Sequence, residues 1–280
     1  MRLKAITELV RIEHSIMLML GVVVAILLLD LNATPAQLAL LFLCPFLISA
    51  GAFALNDYFD AESDKINKKD RPIVRDEISK GDALRIAILL LLVGIACAYP
   101  LGIPAFAIAV AFAALSVLYD WKLKDTALVG NVIIASSMAI VFIFTEVALA
   151  GTVSQLTLMI CATSFLSGLG RELQKTVQDI EGDIKARHSK TLPVLIGTQA
   201  SLHLSVFLII IASAIALYLF FAVPPLKNNY AYVIPALGSV IGLFYAAYLS
   251  YGSREKQEIG RKISLYSLML GIVAYILGGI

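Results

Sequence analysis

The stretch that decides the fold runs from Gln37 to Asp64, QLALLFLCPFLISAGAFALNDYFDAESD, an uncharged apolar run that ends in a patterned acidic segment. Up to Asn56 it carries no charge and is long enough to cross a bilayer as a helix. Asn56, Asp60 and Asp64 then recur at steps of four, so they stack along one helical face. A second acidic set, Glu172, Asp179 and Asp183, closes another apolar segment; steps of seven and four again share one face. Acidic side chains at a helix C-terminus meet the negative end of the macrodipole, so several of them, twice, call for a compensating cation. Carboxylate oxygens select hard cations, and Mg²⁺ binds through a few carboxylates plus substrate phosphates. No thiolate or histidine cluster points to a transition metal.

Working outward, the whole chain shares the character of that run. Of 280 residues, 60% are hydrophobic and 15% charged, and the mean hydropathy is +0.88. That is too apolar for one buried core and implies an integral membrane protein. Cys44, Cys97 and Cys161 each lie inside an apolar run and read as packing residues. The expected architecture is all-α, a nine-helix transmembrane bundle forming a single domain over residues 1–280. The spans fall at Ser15–Leu29, Gln37–Asp57, Ala83–Tyr99, Ile103–Tyr119, Leu128–Leu149, Leu156–Asp179, Leu192–Phe221, Ala231–Leu249 and Ile263–Leu277. Glu146, three residues from the end of its span, is expected to reach the interface.

The basic residues orient this bundle. Numbering the connections from the N-terminus puts 21 of the 22 Lys and Arg on one side, with Lys227 alone on the other. The positive-inside rule makes that side cytoplasmic, N-terminus included, in a multi-pass protein of the cell membrane. Both acidic ladders land there, as do the two long polar connections Ala61–Asp82 and Ile180–Thr191, read as a cap over the site. Arg71, Lys122, Lys124, Arg171 and Lys175 sit close by in sequence. The positive-inside rule supplies such residues whatever the function, but beside two metal-binding ladders they can neutralise a leaving diphosphate. Tyr119 is either an interface aromatic or a ring face offered to a developing cation.

Together the motif Asn56-x-x-x-Asp60-x-x-x-Asp64, the following Asp70-Arg71-Pro72-Ile73, Tyr119 with Lys122 and Lys124, and Asp179-x-x-x-Asp183 resemble the UbiA superfamily of intramembrane prenyltransferases. The resemblance covers nearly the whole chain. Within the superfamily, Arg171-Glu172-Leu-Gln-Lys175 through Asp183, followed by Lys190-Thr-Leu-Pro-Val, is most similar to the archaeal ether-lipid branch, the digeranylgeranylglyceryl phosphate synthases. Thr176 departs from that pattern, standing where an Asp is often found after the Lys.

The resemblance implies Mg²⁺ held by Asp60, Asp64, Asp179 and Asp183 on the diphosphate of geranylgeranyl diphosphate. Asn56 and Glu172 complete or orient that shell, and Arg71, Lys122, Lys124, Arg171 and Lys175 supply positive charge. The polyprenyl tail lies among the helices, open to the lipid bilayer, and the acceptor is geranylgeranylglyceryl phosphate. No nucleic-acid partner is expected. Two rival readings remain at this level. One keeps the chemistry and substitutes an aromatic acceptor, as in quinone-type biosynthesis. The other is a transporter, against which stands the clustering of charge at one membrane face, since transport sites lie near the midplane.

Overall fold

The helix Lys80–Ala98 shows the packing rule of the molecule. Its buried positions are Ala83, Ala87, Leu91, Gly94 and Ala98, whereas Ile88, Leu89, Leu92 and Val93 are exposed. Small residues inside and large apolar residues outside is the pattern of helices that approach one another closely in lipid. The helix Ile103–Trp121 repeats it, with Ala105, Ala109 and Ala113 buried and Val110, Leu115 and Leu118 exposed.

The computed structural model describes residues 3–66, 69–187 and 190–280, with the side chains of 125 and 181–187 outside the described set. Its helices are α1 Leu3–Leu9, α2 Ile12–Leu28, α3 Pro35–Ile66, α4 Lys80–Ala98, α5 Ile103–Trp121, α6 Val129–Ala150, α7 Gln155–Arg187, α8 Leu192–Ile196, α9 Thr198–Ala222, α10 Tyr230–Leu249 and α11 Arg254–Gly279. Neighbours in space are α3 with α4, α6 with α7, α7 with α9 and α10 with α11, while α2 touches α3, α6 and α11. The result is an all-α multi-pass bundle closed around a central space.

Among the described residues seven helices are long and apolar enough to span, and α1 with α2, bent by 59°, adds an eighth. The expected span Leu156–Asp179 lies on α7, a 33-residue helix whose second half is charged, so it is not among these. The bundle stands, with seven or eight helices that pass as spans by length and composition among the described residues.

Several boundaries shift, each for a local reason. The span expected at Leu192–Phe221 is broken into α8 and α9 at Gly197, whose φ of +87° no other residue adopts without strain. Both acidic ladders lie on continuous helix, because α3 runs on to Ile66 and α7 to Arg187. The two long polar connections are therefore shorter than their sequences suggested. The first is anchored by Ile73 and Ile78, both buried in the apolar core, and by Arg75, which pairs with Glu8, Asp70 and Glu77. The second meets the α5–α6 connection through a Thr126–Lys190 backbone bridge. Glu146, near the end of α6, is buried in the protein, and both its oxygens accept the Ser154 amide at 3.0 Å. A carboxylate there satisfies an otherwise orphaned donor at the start of α7.

Candidate active site

The last turns of α3 bring Asn56, Asp57, Asp60 and Asp64 to one end of the bundle, the three aspartates all buried. Each is met by a cation or an amide, Asp64 from the connection just after α3 and the others from distant parts of the chain. Lys124, just past α5, reaches Asp60 Oδ1. Lys69 Nζ lies 3.1 Å from Asp64 Oδ1. Asn56 Nδ2 donates to Asp120 Oδ1 at 2.7 Å, and Arg11 donates to Asp57 Oδ1 at 2.8 Å and to Asn56 Oδ1 at 3.4 Å. The Arg11 guanidinium also lies 4.7 Å over the Phe53 ring. Outside the spans, burial pulls the Arg71 guanidinium below its ordinary value, the Arg11 charge adds to this, and Asp57 and Asp64 oppose it. A cation so desolvated gains from an anion placed beside it.

The facing wall is α7. Glu172, buried, accepts from Lys175 Nζ at 2.9 and 2.8 Å and from Arg171 at 3.1 Å. Arg171 also donates to Ser264 Oγ on α11 at 3.2 Å. Thr176 accepts from Asn131 Nδ2 at 2.7 Å, tying α6 to α7, so this departure from the expected Asp has a bridging role of its own.

Between the walls lies a cavity of about 660 Å³, within the usual range of ligand pockets. Its mouth is lined by Asn56, Asp60, Arg71, Tyr119, Lys124, Arg171, Glu172, Lys175 and Asp179. From there it runs among apolar side chains to Tyr232 and Tyr275 at the opposite end of α10 and α11. Two residues singled out from sequence stand apart. Lys122 is exposed and off the lining, and Asp64 stands one turn beyond Asp60, behind Lys69. The Asp183 side chain falls outside the described residues. Arg11, Asp120, Asn131 and Arg261 also line the cavity and were not singled out from sequence as site residues. Only Asn131 carried a signal, as a polar residue inside an apolar span.

The donor set suits Mg²⁺. Asp60 and Asp64 offer buried carboxylates one turn apart, and Asp64 Oδ1 makes no hydrogen bond of good geometry. Among the described residues, no three acidic, His or Cys side chains gather closely enough to hold a metal unaided. A metal held here would need substrate oxygens to complete its shell, the usual manner of Mg²⁺ on phosphates.

The UbiA prenyltransferase family model matches residues 17–269. The chain belongs to that family. The cavity, with charged groups at its mouth and apolar side chains beneath, suits an intramembrane prenyltransferase. Among relatives, the digeranylgeranylglyceryl phosphate synthase of Archaeoglobus fulgidus is 35% identical over 99% of this chain and 95% of that protein. A solved structure described as digeranylgeranylglyceryl phosphate synthase in membranes superposes with a TM-score of 0.76 at 28% identity, covering 99% of this chain and 98% of the other. A UbiA homologue from Archaeoglobus fulgidus, solved bound to DMAPP and Mg²⁺, shares the fold with a TM-score of 0.67 at 18% identity, over 98% and 97% of the two chains.

Proposed function

We propose that this UbiA prenyltransferase is a digeranylgeranylglyceryl phosphate synthase. It transfers the geranylgeranyl group of geranylgeranyl diphosphate to the free hydroxyl of geranylgeranylglyceryl phosphate, in archaeal ether-lipid synthesis. The observation that carries the reading is one continuous cavity that joins a mouth of paired carboxylates and cations to a long apolar interior. Near-full-length likeness to curated synthases supports the acceptor. Residues 1–280 act as one domain, with the N-terminus and both mouth connections on the cytoplasmic side, as the placement of Lys and Arg argues.

In this reading Asp60, Asp64, Asp179 and Asp183 would hold Mg²⁺, which supplies positive charge to the departing diphosphate. Asn56, fixed between Arg11 and Asp120, orients the mouth of α3. Lys124 and Arg71 face the diphosphate as its C1–O bond breaks and it leaves with the electron pair. The Tyr119 ring faces the allylic cation so formed. The acceptor oxygen then bonds to C1 and gives its proton to the departed diphosphate, while Arg171 and Lys175, two cations around the single carboxylate of Glu172, hold the acceptor phosphate. The apolar walls exclude water, which would otherwise capture the cation.

The test is a competition with purified protein in detergent. Labelled geranylgeranyl diphosphate is offered with geranylgeranylglyceryl phosphate and 4-hydroxybenzoate together, with Mg²⁺ and with EDTA. The expected product is the doubly prenylated glycerol phosphate, formed only with Mg²⁺. Prenylated benzoate in its place overturns the acceptor, and no product from either overturns both acceptors and turns the search to others first, and then to transport.

A further inference from the structure

On α5 the residues at steps of four, Ile108, Phe112, Ser116 and Asp120, share one face, and all four line the cavity. Asp120 ends this row with a carboxylate that is only 3% exposed. No cation forms an ion pair with it among the described residues, since Lys124 is engaged by Asp60 and Arg11 by Asp57. It is met instead by the amide of Asn56, whose Nδ2 donates to Asp120 Oδ1 at 2.7 Å. A buried carboxylate answered by a neutral amide adds little to stability, because desolvating the charge costs more than one hydrogen bond returns. Its use lies elsewhere.

The groups on either side of Asn56 fix how its amide turns. A carboxylate only accepts and a guanidinium only donates. Between Asp120 and Arg11 the amide therefore has one orientation, nitrogen to Asp120 and oxygen to Arg11, the latter at 3.4 Å. We propose that Asp120 is a positioning residue of the reaction: it holds Asn56 with its amide oxygen presented at the cavity mouth, one helical turn before Asp60, for the metal-bound diphosphate. This rests on the function proposed above.

Two features of the contacts suit that role. The bond from Arg11 is long for N–H···O, so the Asn56 oxygen keeps lone-pair capacity for a cation. The bond to Asp120 is short and charge-assisted, and donation to a carboxylate leaves the amide oxygen richer in electrons. A ligand oriented and made more basic by a carboxylate behind it is the common arrangement around protein-bound metals. Asp120 and Asn56 are 64 positions apart, so the pairing exists only where the end of α5 meets α3.

Three substitutions separate positioning from packing. Asp120→Leu, close in volume but unable to accept, should lower kcat roughly 10–100-fold and leave the KM for geranylgeranylglyceryl phosphate within about twofold. The same variant should bind Mn²⁺ about tenfold more weakly in the presence of the unreactive geranylgeranyl thiolodiphosphate, read by electron paramagnetic resonance. Its thermal midpoint in detergent should stay at or above that of wild type, because a buried charge has been removed. Asp120→Asn keeps an acceptor but no longer dictates which edge faces Asn56, so its kcat should fall between the two. It takes the place of Asp120→Leu if that variant does not accumulate. Adding Asp120→Leu to Asn56→Ala should cost nothing further, since Asp120 acts through Asn56. Wild-type turnover and Mn²⁺ binding in Asp120→Leu, losses that multiply in the double variant, or activity lost in step with the thermal midpoint each overturns the assignment and leaves the proposed function intact. A wild-type protein inactive with this acceptor overturns that function instead, while the Mn²⁺ measurement, which needs no acceptor, still decides the role of Asp120.

Discussion

Lys122 and Lys124 are two residues apart, yet only Lys124 turns into the cavity, where its ammonium meets Asp60. Nothing in the local sequence separates them; the choice is made where the end of α5 turns back toward α3. Lys124→Ala should therefore lower kcat by roughly 10²–10³-fold, the usual cost of removing one aimed charge or donor from a polar transition state. Lys122→Ala should stay within a few-fold of wild type, and steady-state kinetics on the pair checks the contrast. Asp60→Ala and Asp183→Ala should each cost several kcal/mol of transition-state stabilisation, roughly 10²–10⁴-fold in turnover, with the helical signal in circular dichroism unchanged. Full activity in either variant removes that residue from the metal site.

At the scale of elements, the junction of α1 and α2 carries strain that its charge pairing offsets. Arg11 has φ +44°, a left-handed conformation that an arginine adopts at a cost, and it sits where the chain bends by 59°. Its guanidinium is what Asp57, 1% exposed, has as a counter-charge in the described structure. Breaking such a pair leaves a buried charge uncompensated, so Arg11→Ala should lower stability by about 3 kcal/mol, read as a lower thermal midpoint in detergent. The double variant Arg11→Ala with Asp57→Ala should recover much of that loss, because both partners are then gone. A simple sum of the two single losses would show that the pair contributes nothing.

For the whole molecule, the charge asymmetry makes a topological prediction. With Cys44, Cys97 and Cys161 replaced, a cysteine at exposed Lys122 should react with an impermeant maleimide only from the cytoplasmic side, and one at Lys227 only from the other. The opposite pattern would invert the protein and remove the cytoplasmic mouth. The same bundle shows how far sequence reading reached. Apolar runs, the Pro100–Pro104 break between α4 and α5 and the i, i+4 acidic ladder on α3 were legible because each is set within one or two helical turns. The break at Gly197, the burial of Glu146 and the continuation of α7 past Asp179 were not, because each depends on what packs against the segment.

The sequence by itself determined a membrane bundle with two acidic ladders at one face, since span length, charge placement and helical period are properties of contiguous residues. Only the tertiary structure decided which cation meets which carboxylate. Arg11 with Asp57, Asn56 with Asp120 and Lys124 with Asp60 are separated by 46, 64 and 64 positions. The close approach at Gly21 belongs to the same class, because α2 and α6, far apart in the chain, leave no room there for even a methyl group. Pairings and voids of this kind depend on how helices are placed relative to one another, and no local pattern encodes that placement.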